Sequence, residues 1–363
     1  MEVVYEVAEE NLKIWVAALH CLAQIGKELS FEAEGTAQLT CRVLNDAHSA
    51  SAQLSFDRSF FADVKVISHI GSVRCIPFAK CKVFAKSCCN IFRTLKHVRS
   101  LQIGFLVNEE SAREAQEESG DAEEEEDEMD VDCEEIRWRL RCDFDITKTH
   151  CMKVHASQIM RAVFDKSTCA SHLVARQFHL ASLLAHIHHS NEVAVTCSET
   201  HVKFESYVPA TGDGKAQLHT ETAVESAEFQ AYSLEPNSHS IDSSVQLIFC
   251  LKEVRALLSF CKASDVSEIG FYFSTGGSPV LFTAESTAMA KFAVEITLST
   301  VTTFLPASSQ TRSDEGPGDA TSHLNNDMHD LHVDQDAIMR ESDSSQSSQQ
   351  PRYLTHTKRM RVD

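Results

Sequence analysis

The chain has 363 residues, 43% apolar and 24% charged, with thirteen cysteines and a formal net charge of -20. That length suits two or three domains with real cores, and no run approaches the roughly 18 apolar residues that a membrane-crossing helix needs. The acidity is local: residues 109–135 hold sixteen acids and one base, residues 306–363 hold ten acids and six bases, and the remaining body has 27 acids and 26 bases, so a basic surface is not excluded.

The opening stretch MEVVYEVAEENLK carries acids where a secretory leader carries bases. A soluble, intracellular chain with no membrane partner is expected. The cysteines are scattered and make no CxxC pair, which argues against a zinc site or a disulfide framework. Most are expected to be reduced core residues, as in the cytosol or nucleus.

The first predicted helix runs from Glu10 to Ile25. At about 100° per residue, Trp15, Ala18, Leu19, Leu22 and Ile25 form one stripe, and Lys13, His20, Gln24 and Lys27 form the opposite face. ELSFEAEG and AQLTCRV then alternate as strands. Lys82 to Phe105 reads as a helix and a strand. Phe84, Cys88, Ile91, Phe92 and Leu95 oppose Lys86, Arg93 and Lys96. The acidic run 109–135 lies between SLQIGFLV and IRWRLRCDFDI, both strand-like, so it is expected to be a disordered hairpin loop inside a domain.

A third helix spans Gln177 to His189, with Leu180, Leu184 and Ile187 on one side and His179, Ser182, His186 and His189 on the other. HVKFESYV follows as a strand. In the fourth helix Cys250, Val254, Leu257, Leu258 and Cys261 oppose Lys252, Arg255, Ser259 and Lys262; Glu253 is the acid of that helix. STGGSP marks a hairpin turn before VLFT. From Pro306 the chain is rich in Ser, Gln, Asp and Asn and is expected to be disordered.

The pattern repeats. Shifted by 166 residues, Lys82–Phe105 overlies Ile248–Phe271 without a gap, and both stretches end in Ile-Gly-Phe. A shift of 164 superposes ELSF on EVAV. Two stretches in one order at nearly one offset indicate duplication. Lysine and arginine also simply solubilise helix faces, but four faces of one sign in a near-neutral body favour an anionic partner. The residue types suit phosphate contact, insensitive to base sequence.

Other chemistry finds little support. Asp143 and Asp145, two apart on an expected strand, could hold a metal for a nuclease, but no third acid or base stands near in sequence. His186, His188 and His189 would not converge on a metal from one helix. His150 and Cys151 are adjacent, which is no nucleophile–base geometry. No GxGxxG or GK[ST] motif occurs, so no cofactor is expected.

FCLKEVRALLSF, SPVLFTAES, DITKTH and LAQIGKELSFE closely resemble the Rad-nine subunit of the checkpoint clamp, the nine-one-one complex, a relative of proliferating cell nuclear antigen. The resemblance covers about Val3 to Thr300. It implies an α+β DNA-clamp fold: two similar domains, each with curved antiparallel sheets and two helices on the inner face. Clamp domain one would be 1–154, the connector 155–170, clamp domain two 171–305, and the regulatory tail 306–363. It implies a non-enzymatic subunit of a heterotrimeric ring around double-stranded DNA in the nucleus. Lys13, His20, Lys27, Lys86, Arg93, Lys96, His179, His186, Lys252, Arg255 and Lys262 would face the DNA.

The implied partners are two other clamp subunits, an ATP-driven clamp loader, client peptides at the connector, and a phosphopeptide-binding checkpoint activator that reads the tail. Ser309, Ser345 and Ser348 precede glutamine, Ser342 and Ser344 flank Asp343, and these five are the phosphorylation candidates. KRMR, with Lys358, Arg359 and Arg361, is a candidate nuclear-import cluster. The alternatives are a homotrimeric replicative clamp, which the tail disfavours, and the metal-dependent nuclease around Asp143 and Asp145. The long acidic loop and short tail depart from the family pattern.

Overall fold

The computed structural model describes residues 1–34, 36–68, 78–107, 130–154, 164–207, 218–235 and 244–301. Most of the acidic run, most of the connector, the candidate serines and the KRMR cluster lie outside the described residues.

One order of elements occurs twice. The first pass is β1 (Glu2–Ala8), α1 (Glu9–Ile25), β2 (Glu28–Glu34), β3 (Gln38–Leu44), β4 (Ala50–Asp57), a 3₁₀ turn (Arg58–Phe60), β5 (Asp63–Ile67), β6 (Phe78–Phe84), α2 (Ala85–Ile91), β7 (Val98–Val107), β8 (Asp130–Cys142) and β9 (Thr147–Lys153). The second pass is β10 (Ser171–Arg176), α3 (Gln177–Ala185), β11 (Glu192–Cys197), β12 (His201–Tyr207), β13 (Glu221–Glu225), a 3₁₀ turn (Ser226–Glu228), β14 (Ala231–Ser233), β15 (Val245–Cys250), α4 (Leu251–Ala263), β16 (Glu268–Phe273), β17 (Val280–Glu285) and β18 (Phe292–Leu298). Both halves thus consist of sheets covered by two helices, antiparallel throughout the described ladders except for the short parallel pair of β6 with β8 in the first half, as an α+β clamp fold allows.

The shared Ile-Gly-Phe has a steric cause. A Cβ on Gly104 would lie 2.1 Å from Oε1 of Glu2, and one on Gly270 would lie 2.7 Å from Oγ1 of Thr283. In both halves a neighbouring strand's side chain crosses the glycine, so a larger residue would have to displace Glu2 or Thr283.

A ladder of seven residue pairs, from Phe292 opposite Phe56 to Leu298 opposite Ala50, bonds β18 to β4 and fuses the halves. The resulting large sheet runs β14-β10-β16-β17-β18-β4-β3-β2-β6-β8-β7-β1-β5, with β9 also on β8; a second sheet runs β13-β12-β11-β15. Residues 1–306 consequently group as one unit.

The predicted apolar stripes fill the cores. Trp15, Ala18, Leu19, Leu22 and Ile25 of α1 are all buried. Trp15 lies 5.1 Å from Phe56 and 6.4 Å from Trp138, measured between ring centroids. The second core stacks Phe271 on Phe282 at 4.4 Å. Between the halves, Phe292 packs 6.3 Å from both Phe56 and Phe60 and 5.6 Å from Phe260 of α4.

Four local expectations are corrected. Helix α2 stops at Ile91 although the stripe continues to Leu95, because Phe92 leaves the helix (φ -101°, ψ 19°) to pack edge-on against Trp138. Phe84 belongs to the end of β6 and is 55% exposed, not part of a helix stripe. Helix α3 stops at Ala185, whose carbonyl is contacted by Nδ1 of His188 at 2.7 Å, so His188 and His189 follow the helix. Asp143-Phe144-Asp145 is a tight turn, not strand, with left-handed φ of 60° at Phe144 and 55° at Asp145.

Candidate nucleic-acid interface and open joint

The helices form one row. Helix α1 packs against α2 on one side and α4 on the other, and α3 packs on the far side of α4. Each buries an apolar stripe on the sheets, which leaves the opposite face outward.

The candidate cations distribute unevenly over this row. Lys13 and His20 of α1, Lys86 of α2, and Lys252 and Lys262 of α4 are exposed. Arg93 and Lys96 are also exposed but sit in the turn after α2. His186 is exposed at the C-cap of α3. Lys27 is exposed and bonded to Asp46, which offsets its charge locally. Two candidates are partly withdrawn. Arg255 is half-buried and donates to the carbonyl of Ile187. His179 is half-buried and stacks on Phe229 at 5.9 Å.

Glu253 does not share this outer face. It is 3% exposed, and its Oε2 has no hydrogen-bond partner among the described residues.

The acid pair is also not a free metal site. Asp143 accepts from Arg99 Nε at 2.5 Å and contacts His97 Nδ1 at 2.9 Å. The Arg99 hydrogen bond, then that of His97, holds its carboxyl below the usual aspartate range. Glu205, His219 and Glu221 come together, but Lys203 Nζ lies 3.0 Å from Glu205 and 3.8 Å from Glu221. An ammonium already supplies the positive charge there. Among the described cysteines all thiols are free; Cys151 is exposed, and burial pushes Cys88, Cys197 and Cys261 up to about 12.

A feature with no local sequence signal emerges from the repeat. Gly104–Arg137–Cys151 across β7, β8 and β9 matches Gly270–Thr283–Glu295 across β16, β17 and β18. Strand β9 is therefore the counterpart of β18. Strand β13, followed by its 3₁₀ turn, is the counterpart of β4. Yet β9 is bonded along β8 alone and β13 along β12 alone, among the described residues. The helices tell the same story. Ala256 of α4 is buried, whereas Asn90 of α2, its counterpart at the 166-residue offset, is exposed. The joint that β4, β18, α1 and α4 close within the chain is left open at β9, β13, α2 and α3.

Solved sliding clamps have this architecture. The chain is similar to proliferating cell nuclear antigen from Thermococcus kodakaraensis (TM-score 0.55, 9% identity, 82% of this chain and 99% of that one). It is similar also to that of Entamoeba histolytica (TM-score 0.54, 9% identity, 82% and 98%). A third similar structure is the PCNA2–PCNA3 complex of Sulfolobus tokodaii (TM-score 0.55, 8% identity, 82% and 98%). The fold is that of a DNA sliding clamp.

Within that class, the Rad9 family model matches residues 15–301, and the chain belongs to the Rad9 family. It is 20% identical over 279 residues to the cell cycle checkpoint control protein Rad9 of Drosophila melanogaster, covering 76% of this chain and 52% of that protein. It is 23% identical over 171 residues to the DNA repair protein rad9 of Schizosaccharomyces octosporus, covering 46% and 38%. The chain thus spans about half or less of the length of these curated relatives.

Proposed function

We propose that this chain is one subunit of a heterotrimeric clamp that encircles duplex DNA and acts, without catalysis of its own, in checkpoint signalling and repair. The observation that carries the reading is the open joint. A joint closed once within the chain and left open at both ends is head-to-tail, and such joints generate rings when the rotation closes. Two clamp halves, about 1–154 and 171–305, joined near 155–170, would contribute a third of the ring.

The helix row would line the bore. Lys13, His20, Lys86, Arg93, Lys96, His186, Lys252 and Lys262 would meet phosphates, with Lys27, His179 and Arg255 contributing less because of the contacts described above. Encirclement needs only weak contacts that let the ring slide, so no base-reading geometry is required. An ATP-driven loader would open the ring in the nucleus. The tail, phosphorylated among Ser309, Ser342, Ser344, Ser345 and Ser348, would dock a phosphopeptide-binding activator, and client peptides would bind at the connector.

Co-expression with the other clamp-type chains of the same genome, followed by mass measurement, tests the reading. A one-to-one-to-one assembly is expected. A trimer of this chain alone would instead favour the homotrimeric replicative alternative.

A further inference from the structure

One helix of the row differs from the others. Exposed cations stand on α1 (Lys13, His20), α2 (Lys86) and α4 (Lys252, Lys262). Between its exposed caps, Arg176 and His186, α3 instead exposes Phe178, Ser182 and Ala185, none of which is charged. Leu180, Leu183 and Leu184 are buried and mark its inner side. At about 100° per residue, Phe178, Ser182 and Ala185 centre on the opposite, outward side. Both flanks of the helix are occupied. On one, Gln177 Nε2 donates to the carbonyl of Leu258 in α4 at 3.0 Å, and on the other His179 stacks on Phe229 at 5.9 Å. The ring of Phe178 stands between these flanks and is 64% exposed.

The bond from Gln177 sets Phe178 beside the middle of α4. Lys252 lies six residues before Leu258 and Lys262 four after it, which is about 9 Å and about 6 Å along the helix axis. An exposed phenyl ring thus has an ammonium to either side along the neighbouring helix. A duplex keeps its bases paired inside and turns its phosphates outward, and a phenyl ring gains nothing from a phosphate. An unpaired base offers a bare π-face, and aromatic rings beside a cationic track are how proteins hold single strands without reading their sequence. Residues three and four apart are neighbours on a helix surface. Ser182, four on from Phe178, is small, and so is Ala185 beyond it, so the wall beside the ring is low and leaves room for a flat base. A peptide anchor would need a pocket to enter, whereas a base needs only a face to lie on.

We propose that Phe178 is a stacking site for an unpaired nucleobase, and that the bore holds a single DNA strand along α3 and α4 with its phosphates at Lys252 and Lys262. The inference rests on the ring reading above and adds a second form of nucleic acid to the duplex. The cations of α1 and α2 serve either form, because phosphate contact does not distinguish them. Phe178 does distinguish them, since only an unpaired base can lie on it.

The test uses the assembled ring, this chain co-expressed with the other two clamp-type chains of its genome, and two probes: a short single strand carrying iodouracil, and a duplex of equal length. Under ultraviolet light the iodouracil strand is expected to crosslink at Phe178. Phe178→Ala is expected to weaken single-strand binding by about fivefold or more, and to leave duplex binding and ring assembly unchanged. Phe178→Trp is expected to keep single-strand binding, because the larger ring also stacks. Lys252→Glu combined with Lys262→Glu is expected to weaken binding of both probes. Failure of the unaltered ring to bind the single strand, unchanged single-strand binding in Phe178→Ala, or equal losses on both probes overturns the inference and leaves the ring standing. Loss of ring assembly in Phe178→Ala would place the residue in a subunit joint and overturns it too. An unaltered ring that binds neither probe removes the bore reading, and this inference with it.

Discussion

Phe292→Ala probes the closed joint. The ring is 4% exposed and packs on Phe56, Phe60 and Phe260, so it ties β18, β4, the first 3₁₀ turn and α4 together. Truncating a buried phenylalanine costs about 3–5 kcal/mol. The surrounding strands belong to one hydrogen-bonded sheet and cannot collapse freely into the gap, so the upper part of that range, about 4 kcal/mol, is expected. Urea unfolding followed by circular dichroism measures it. The repeat supplies its own control: Lys148→Ala, at the counterpart position on β9, is expected to change stability by no more than about 0.5 kcal/mol in the isolated chain, since that site is exposed. A loss below about 1 kcal/mol for Phe292→Ala, or equal losses at both positions, would refute the assignment of β9 as an open counterpart of β18.

Replacing Lys86, Arg93, Lys252 and Lys262 together by glutamate is expected to leave the melt unchanged and to lower the salt dependence of duplex binding. Each phosphate contact contributes about 0.9 to the slope of log K against log salt, so four lost contacts predict a reduction of about 3–4; an unchanged slope would count against a DNA-facing helix row. In thiol titration Cys151 is expected to react first, while Cys197 and Cys261, buried and pushed up to about 12, react only on unfolding; early reaction of either would contradict their burial. The lowered carboxyl of Asp143 stabilises its turn fully above the ordinary aspartate range, and that contribution disappears as pH falls through the lowered value. The Phe144 amide shift should therefore move on acidification and lose that movement in Asp143→Asn; identical titrations would show that Arg99 and His97 do not hold the turn.

Much of the architecture is legible in sequence where the cause is local. The stripe from Trp15 to Ile25 sets α1, and Ile-Gly-Phe repeats because Gly104 and Gly270 are crossed by side chains from neighbouring strands. What sequence periodicity missed depends on distant partners. Phe92 leaves its stripe to meet Trp138, and Asp143 is drawn into a turn by Arg99 and His97. The cationic residues of the helix row are individually visible in sequence, but their alignment in one row comes from the packing of α1 against α4, which no short stretch encodes. The correspondence of β9 with β18 requires the registers of β8, β9, β17 and β18 together.

Retention on DNA of defined topology tests the central claim most directly. The assembled ring, placed on nicked circular duplex by its loader and washed in high salt, is expected to stay bound until the circle is cut, and then to slide off the ends. Equal retention on circular and linear duplex would mean that this family member holds DNA by surface contact and does not encircle it.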